Sequence, residues 1–176
     1  MEVQKQWLFA ASADESICQS LSRETGLHLL VASILYRRGY CTPDEVEIFL
    51  QPELRQLRDP FLLRHMQEAV KLVLPFLREN RSILILGDYD VDGITSTALL
   101  LNFLRDAGCS QLDYFIPQRL QHGYGLTPAS VDVILSRQPD LVITVDNGIT
   151  ARKEVQQLQN EGVCVLITDH HIAISD

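Results

Sequence analysis

Side chains suited to holding a divalent cation fall in three short groups along this chain. Asp88, Asp90 and Asp92 alternate with Tyr89 and Val91 inside Gly-Asp-Tyr-Asp-Val-Asp-Gly; Asp146 precedes Asn147 and Gly148; Asp169 precedes His170 and His171. Carboxylate oxygens mixed with imidazole nitrogens suit Mn2+ or Mg2+, and Zn2+ or Fe2+ less well where no thiolate joins them. Five like-charged carboxylates brought to one place would repel strongly unless cations neutralised them. Two adjacent divalent ions could grip the oxygens of a phosphodiester and supply a water nucleophile.

Two plainer readings compete with that chemistry. The stretch from Asp88 to Gly93 matches the opening of an EF-hand calcium loop, which requires a bidentate Glu at its twelfth position. That position is Leu99, and the segment follows an apolar run rather than a helix. Alternatively, the aspartates are turn and helix-cap residues, a role Asp fills well. One Asp-Gly after a strand would earn that reading; three groups at equivalent strand ends argue against it.

The elements that must position these groups are legible in the apolar pattern. Ile83–Leu86, Leu112–Ile116, Leu141–Val145 and Val163–Thr168 read as short strands, the first fully apolar, as buried parallel strands tend to be. Helical stretches are expected at Thr95–Ala107, Pro128–Gln138 and Ala151–Glu161, with Gly108 and Gly162 as stops. Alternating strands and helices imply a three-layer α/β domain with a parallel sheet over residues 81–176. In such sheets ligands collect beyond the carboxyl ends of the strands, where all three groups fall.

Residues 1–80 form a helical N-terminal region with no strand-like run. Asp14 caps a helix towards Thr25, ended by Gly26; further helices are expected over His28–Arg38, from Pro43, and over Arg64–Glu79 with a kink at Pro75. Arg37 and Arg38 make a solvated helix end. His28, His65 and His122 lie outside the three groups and read as surface or hydrogen-bonded histidines, and Gly123-Tyr124-Gly125 is equally well an ordinary turn.

Hydrophobic residues make up 46% of the 176, enough for a sizeable core. The formal charge of −8 lacks the basic excess of most nucleic-acid binders and suits a carboxylate-rich metal site. Cys18, Cys41, Cys109 and Cys164 form no CxxC pair, so reduced thiols in a cytoplasmic protein are expected. No apolar run is long enough for a membrane span, and Met1–Gln6 lacks the layout of a signal peptide.

The three groups, in order and each at a strand end, resemble the first three motifs of the DHH phosphoesterase superfamily: Gly-Asp-Tyr-Asp-Val-Asp-Gly at 87–93, Val-Asp-Asn-Gly at 145–148 and Thr-Asp-His-His at 168–171. Within it, Tyr114-Phe115-Ile116-Pro117-Gln118-Arg119, Gly123–Pro128, Ile48–Pro52 and Asp59–Leu63 are similar to the RecJ branch of exonucleases, although Gln118 stands where that branch usually carries Asn. The resemblance implies Asp90, Asp92, Asp146 and His170 as direct metal ligands, with Asp88 in or next to the coordination sphere. It implies His171 beside the scissile phosphate, Asp169 holding a histidine through its other ring nitrogen, and Arg119 meeting a substrate phosphate.

The implied activity is Mn2+- or Mg2+-dependent hydrolysis of single-stranded DNA from its 5′ end, in DNA repair and recombination. Single-stranded DNA is the implied partner, with a single-strand-binding protein or other repair and replication proteins beside it. The superfamily has a fourth motif, and this branch has further domains, so the DHH domain here is expected to be truncated and weakly active or inactive alone. Hydrolysis of short oligonucleotides or cyclic dinucleotides, and a non-catalytic binding or scaffold role, are the alternatives the same motifs allow.

Overall fold

A computed structural model describes residues 13–173; Met1–Gln6 and the last residues, 174–176, lie outside them. The chain divides into two compact units, Met1–Leu62 and Leu63–Asp176. The first holds α1 (Glu15–Thr25), α2 (Leu29–Arg37) and α3 (Pro43–Leu50). Asp14 caps α1 through the Ser16 and Ile17 N–H groups, and left-handed Gly26 ends it. Thr42 and Glu45 form a reciprocal capping box ahead of Pro43. Leu21, Ala32, Leu35 and Val46 close a small core between these helices. His28 is spent locally, accepting the Leu30 N–H at the start of α2.

The second unit opens with α4 (Met66–Arg78), which continues through Pro75 in its last turn. Composition groups α4 with the upstream helices, yet its Phe76 packs in the same core as Ile83 and Ile85. The compact units therefore divide near residue 62, whereas the change in sequence character falls near 80. Four parallel strands follow: β1 (Ile83–Leu86), β2 (Leu112–Phe115), β3 (Leu141–Val145) and β4 (Cys164–Thr168), in the order β2-β1-β3-β4. Between them lie α5 (Val91–Asp106), a single turn α6 (Arg119–His122), α7 (Pro128–Arg137) and α8 (Arg152–Asn160).

Alternation along the strands makes the three layers. Ile83, Ile85, Leu141, Ile143 and Val145 face α4 and α5, with Phe76 and Leu104 among their neighbours. Leu84, Leu86 and Val142 face α7 and α8, against Val131, Ile134 and Leu158. Both faces of β1 and β3 are covered, which is why β1 is wholly apolar and β3 is apolar apart from Thr144. At the strand starts, Asp140 accepts from the Arg81 guanidinium and the Ser82 N–H, both at 2.9 Å, tying the foot of β1 to that of β3. All four cysteines are free thiols, and no described helix is long and apolar enough to cross a membrane.

One expected boundary moves in a way that matters. The helix after β1 starts at Val91, not Thr95, because Asp90 is its cap: the Asp90 carboxylate accepts the Gly93 N–H at 2.9 Å. Asp92 and Gly93 thus sit in the first helical turn rather than in a loop. Gly93 is obligatory there: a Cβ would lie 2.5 Å from Asp88 N and 2.6 Å from Asp88 O, both rigid backbone. Gly93→Ala is expected to cost about 1–3 kcal/mol through overpacking. Thermal denaturation should show a melting temperature several degrees lower, and an unchanged one would contradict this packing.

Candidate metal centre

The sheet order changes direction between β1 and β3: the chain leaves β1 for β2 on one side and later returns to place β3 on the other. Helices diverge at such a point and leave a crevice at the carboxyl ends of the strands. Asp88, beyond β1, is fully buried, and neither carboxylate oxygen has a hydrogen-bond partner. Burial pushes its pKa above the ordinary carboxylate range, and the charges of Asp90 and Asp146 add to the rise. Asp90 and Asp92 are exposed at the start of α5, whose N-terminal partial positive charge favours carboxylates nearby.

Asp146, beyond β3, is 8% exposed and sits at φ 64°, the left-handed region that Asp tolerates better than most residues. Its N–H donates to the Thr168 carbonyl, joining the ends of β3 and β4. Asn147 is also buried; its Nδ2 donates to the carbonyls of Leu86, Gly87 and Val145 at 2.9–3.2 Å. That amide straps the β1 end to the β3 end.

Beyond β4, Asp169 accepts the Ile149 N–H, the His171 N–H and the His171 ring, the last at 2.7 Å from Nδ1. Burial opposes the charged form of Asp169, but those donors outweigh it and hold its carboxyl below the usual range. The same carboxylate raises the His171 pKa. The His170 ring lies beside that of His171, centroids 4.6 Å apart, and its Nε2 is 2.9 Å from Asp146 Oδ1, without hydrogen-bond geometry. Ligand atoms of Asp146, His170 and His171 all lie within 4.8 Å of one another.

An open cleft of about 440 Å³ lies beside Asp146 and His170, lined also by Asp92, Ser96, Thr168 and Asp169. Asp88 stands close enough to both Asp90 and Asp146 to feel their charges, and neither Asp88 nor Asp90 shares the tight group. Arg119 stands apart on α6, its guanidinium 5.8 Å above the Tyr89 ring. His122 is engaged elsewhere, accepting the Gln118 N–H and packing edge-on to Phe115.

Two residues that sequence reasoning misses belong to the site. Asn147 shows in the sequence only as the middle of an Asp-Asn-Gly turn. Tyr124 sits between two glycines, yet its hydroxyl donates to the Asp146 carbonyl at 3.2 Å and lies 3.4 Å from His171 Nε2. Burial, with the charges of Asp88 and Asp146, pushes the phenol up to about 12, so it remains a donor at neutral pH.

The donor set fits a divalent cation. Buried oxygens on Asp88 and Asp146 without hydrogen-bond partners, beside exposed imidazole nitrogen, are what a cation would satisfy. Fold and site together define a parallel α/β domain with a candidate divalent-cation site at its strand ends. Residues 82–176 match the DHH family, N-terminal domain, and the chain belongs to that family.

The RecJ single-stranded-DNA-specific exonucleases are similar. That of Bacillus subtilis (strain 168) is 37% identical over 158 residues, 90% of this chain and 20% of that protein. That of Escherichia coli (strain K12) is 42% identical over 110 residues, 62% and 19%. The crystal structure of exonuclease RecJ bound to manganese aligns with a TM-score of 0.60 at 40% identity, over 65% of this chain and 29% of that one. RecJ of Thermus thermophilus in complex with Mn2+ aligns at 0.65 and 30%, over 94% and 23%. The chain thus spans about a fifth of the length of the curated relatives it matches.

Asp88→Asn separates the two consequences of the buried charge. Without metal it is expected to stabilise the protein by about 1–2 kcal/mol, since an ionised carboxylate is costlier to bury than an amide. Mn2+ binding should weaken about tenfold or more. Scanning calorimetry in chelator, paired with Mn2+ titration, reads both; a lower metal-free melting temperature would show that the carboxylate is already satisfied.

Proposed function

We propose that this chain supplies the metal-binding part of a single-strand-specific 5′-to-3′ DNA exonuclease of DNA repair and recombination. The observation that carries the reading is the convergence of Asp146, His170 and His171 within 4.8 Å beside orphaned buried carboxylate oxygens. Asp88, Asp90, Asp92, Asp146 and His170 are the proposed holders of Mn2+ or Mg2+, as a pair. Bound there, the ions would polarise a phosphodiester and ease deprotonation of water.

The chain's own residues do the rest. Asp169 fixes His171 at Nδ1 and favours its protonated form, leaving Nε2 to hold a proton for a departing oxygen. The five N–H donors of Arg119 suit the oxygens of a strand phosphate, and the neighbouring Tyr89 ring keeps the guanidinium plane oriented. Support for the polymer substrate comes from the relatives' name and from the helical first unit, which one of them matches along with the sheet.

The test is Mn2+-dependent release of mononucleotides from 5′-phosphorylated single-stranded DNA. Asp146→Ala should lower the rate at least ~100-fold, the scale of losing a group that positions the reacting phosphate. The 176-residue chain should also be ~100-fold or more slower than the Bacillus relative, about four and a half times its length. A length series completes the assay: faster cleavage of dinucleotides than of long strands would replace this reading with a short-oligonucleotide hydrolase. Mn2+ binding without any hydrolysis would indicate a scaffold.

A further inference from the structure

Tyr124 is unlike a core aromatic. It is 46% exposed, so burial of the ring contributes little, while the hydroxyl is the end that reaches inward. That hydroxyl meets two strand-end loops at once: it donates to the Asp146 carbonyl at 3.2 Å and approaches His171 Nε2 at 3.4 Å. The ring stands edge-on to His171, with centroids 6.1 Å apart.

The segment carrying Tyr124 is fixed on both sides. Gly125 has φ +62°, and a Cβ there would lie 2.9 Å from the Asn147 Cβ, so the loop is seated directly on the residue that straps β1 to β3. Behind it, the buried Ser130 hydroxyl donates to the Gly125 carbonyl at 2.8 Å, and Thr127 donates to the His122 carbonyl at 2.7 Å. A segment so constrained delivers its hydroxyl to one place. The recipient needs it: a non-glycine residue at φ 64° persists only where its surroundings over-determine it.

We propose that Tyr124 is a positioning residue that holds the Asp146 turn where its carboxylate can bind a divalent cation, and keeps the His171 ring beside that site. The proposal rests on the metal-site reading above. Tyr124 acts through Asp146 and His171: its hydroxyl fixes the Asp146 main chain, and that in turn fixes where the carboxylate stands. Its ring edge limits the rotation of His171, whose other nitrogen Asp169 already holds.

Mn2+ titration calorimetry of wild type, Tyr124→Phe and Asp146→Ala tests this, with ¹⁵N NMR of the histidine rings in the metal-free protein. Tyr124→Phe should bind Mn2+ about tenfold more weakly, the usual scale for a residue that orients a ligand. Its melting temperature should stay within about 2 °C of wild type, as loss of one partly exposed hydroxyl implies. The His171 ring signals should move while those of His28, in the other compact unit, do not. Wild-type Mn2+ affinity in Tyr124→Phe, with binding lost in Asp146→Ala, would overturn the role of Tyr124 and leave the metal site standing. Wild-type affinity in Asp146→Ala would overturn the site itself. Gly125→Ala, which pushes the loop off Asn147 but keeps the hydroxyl, is the second variant, to be used if the Phe variant does not fold. It should weaken Mn2+ comparably, and retained affinity would overturn the proposal.

Discussion

Beyond the ends of β1 and β3 the ladder of the parallel sheet runs out, and the carbonyls of Leu86, Gly87 and Val145 converge on the side-chain amide of Asn147. That amide has two hydrogens for three acceptors, so one is shared. Each such bond adds only about 1 kcal/mol net, but losing the donor would leave buried carbonyls unpaired, at about 1–3 kcal/mol apiece. The interaction therefore holds shut the one place where the topology would let the sheet open. Everything chemical is hung from it: Asp88 follows Gly87, Asp146 precedes Asn147, and the Tyr124 loop rests on the far side of the same residue.

The same fastening forces charges together. Asp88 is buried without a donor, and Asp146 is nearly so. Burying an unpaired polar group costs several kcal/mol, a large fraction of a domain's net stability of about 5–15 kcal/mol. The sheet withstands this because β1 and β3 are covered on both faces and each fully buried aliphatic side chain contributes about 1.5–3 kcal/mol. The metal-free fold is thus held against its own active end by core packing. Asp169 makes the contrast: its carboxylate is equally enclosed but fully supplied with donors, and it is accordingly a holder of His171. Between the two enclosed carboxylates, supply of donors rather than burial distinguishes Asp88, left without one, from Asp169, which orients a neighbour.

The fold is readable from the sequence because its signals are local. Apolar runs at 83–86 and 141–145 and glycine stops at 108 and 162 need no knowledge of distant partners. Convergence of the three acidic groups is readable too, since a parallel sheet sends all its strand ends to one edge. Three things are not. The apolar pattern puts the start of α5 four residues late, because Asp90 reads as a ligand alone when its carboxylate also caps the helix. The kinship of α4 with the sheet depends on Phe76 finding Ile83 and Ile85, which composition does not encode. Tyr124 and Asn147 act through contacts spanning 22 and some 60 positions, and no periodicity carries information over such separations.

On the proposed function, an acidic protein would meet a polyanion, and the geometry of the site bears on that electrostatic problem. The formal charge of −8 would repel DNA phosphates at long range, but salt confines exposed charges to about 8–10 Å. What a phosphate meets at contact is therefore local: the cleft with its carboxylates and histidines, and Arg119 standing apart over Tyr89. A pair of divalent cations in the cleft would offset half of the chain's formal charge at the point where the strand must approach. Metal loading would then govern attraction of the strand as well as its chemistry, because without cations the carboxylates of Asp92 and Asp146 face the substrate uncompensated. On that reading, the orphaned oxygens that make the metal-free site costly would also keep a phosphate out of it until cations arrive.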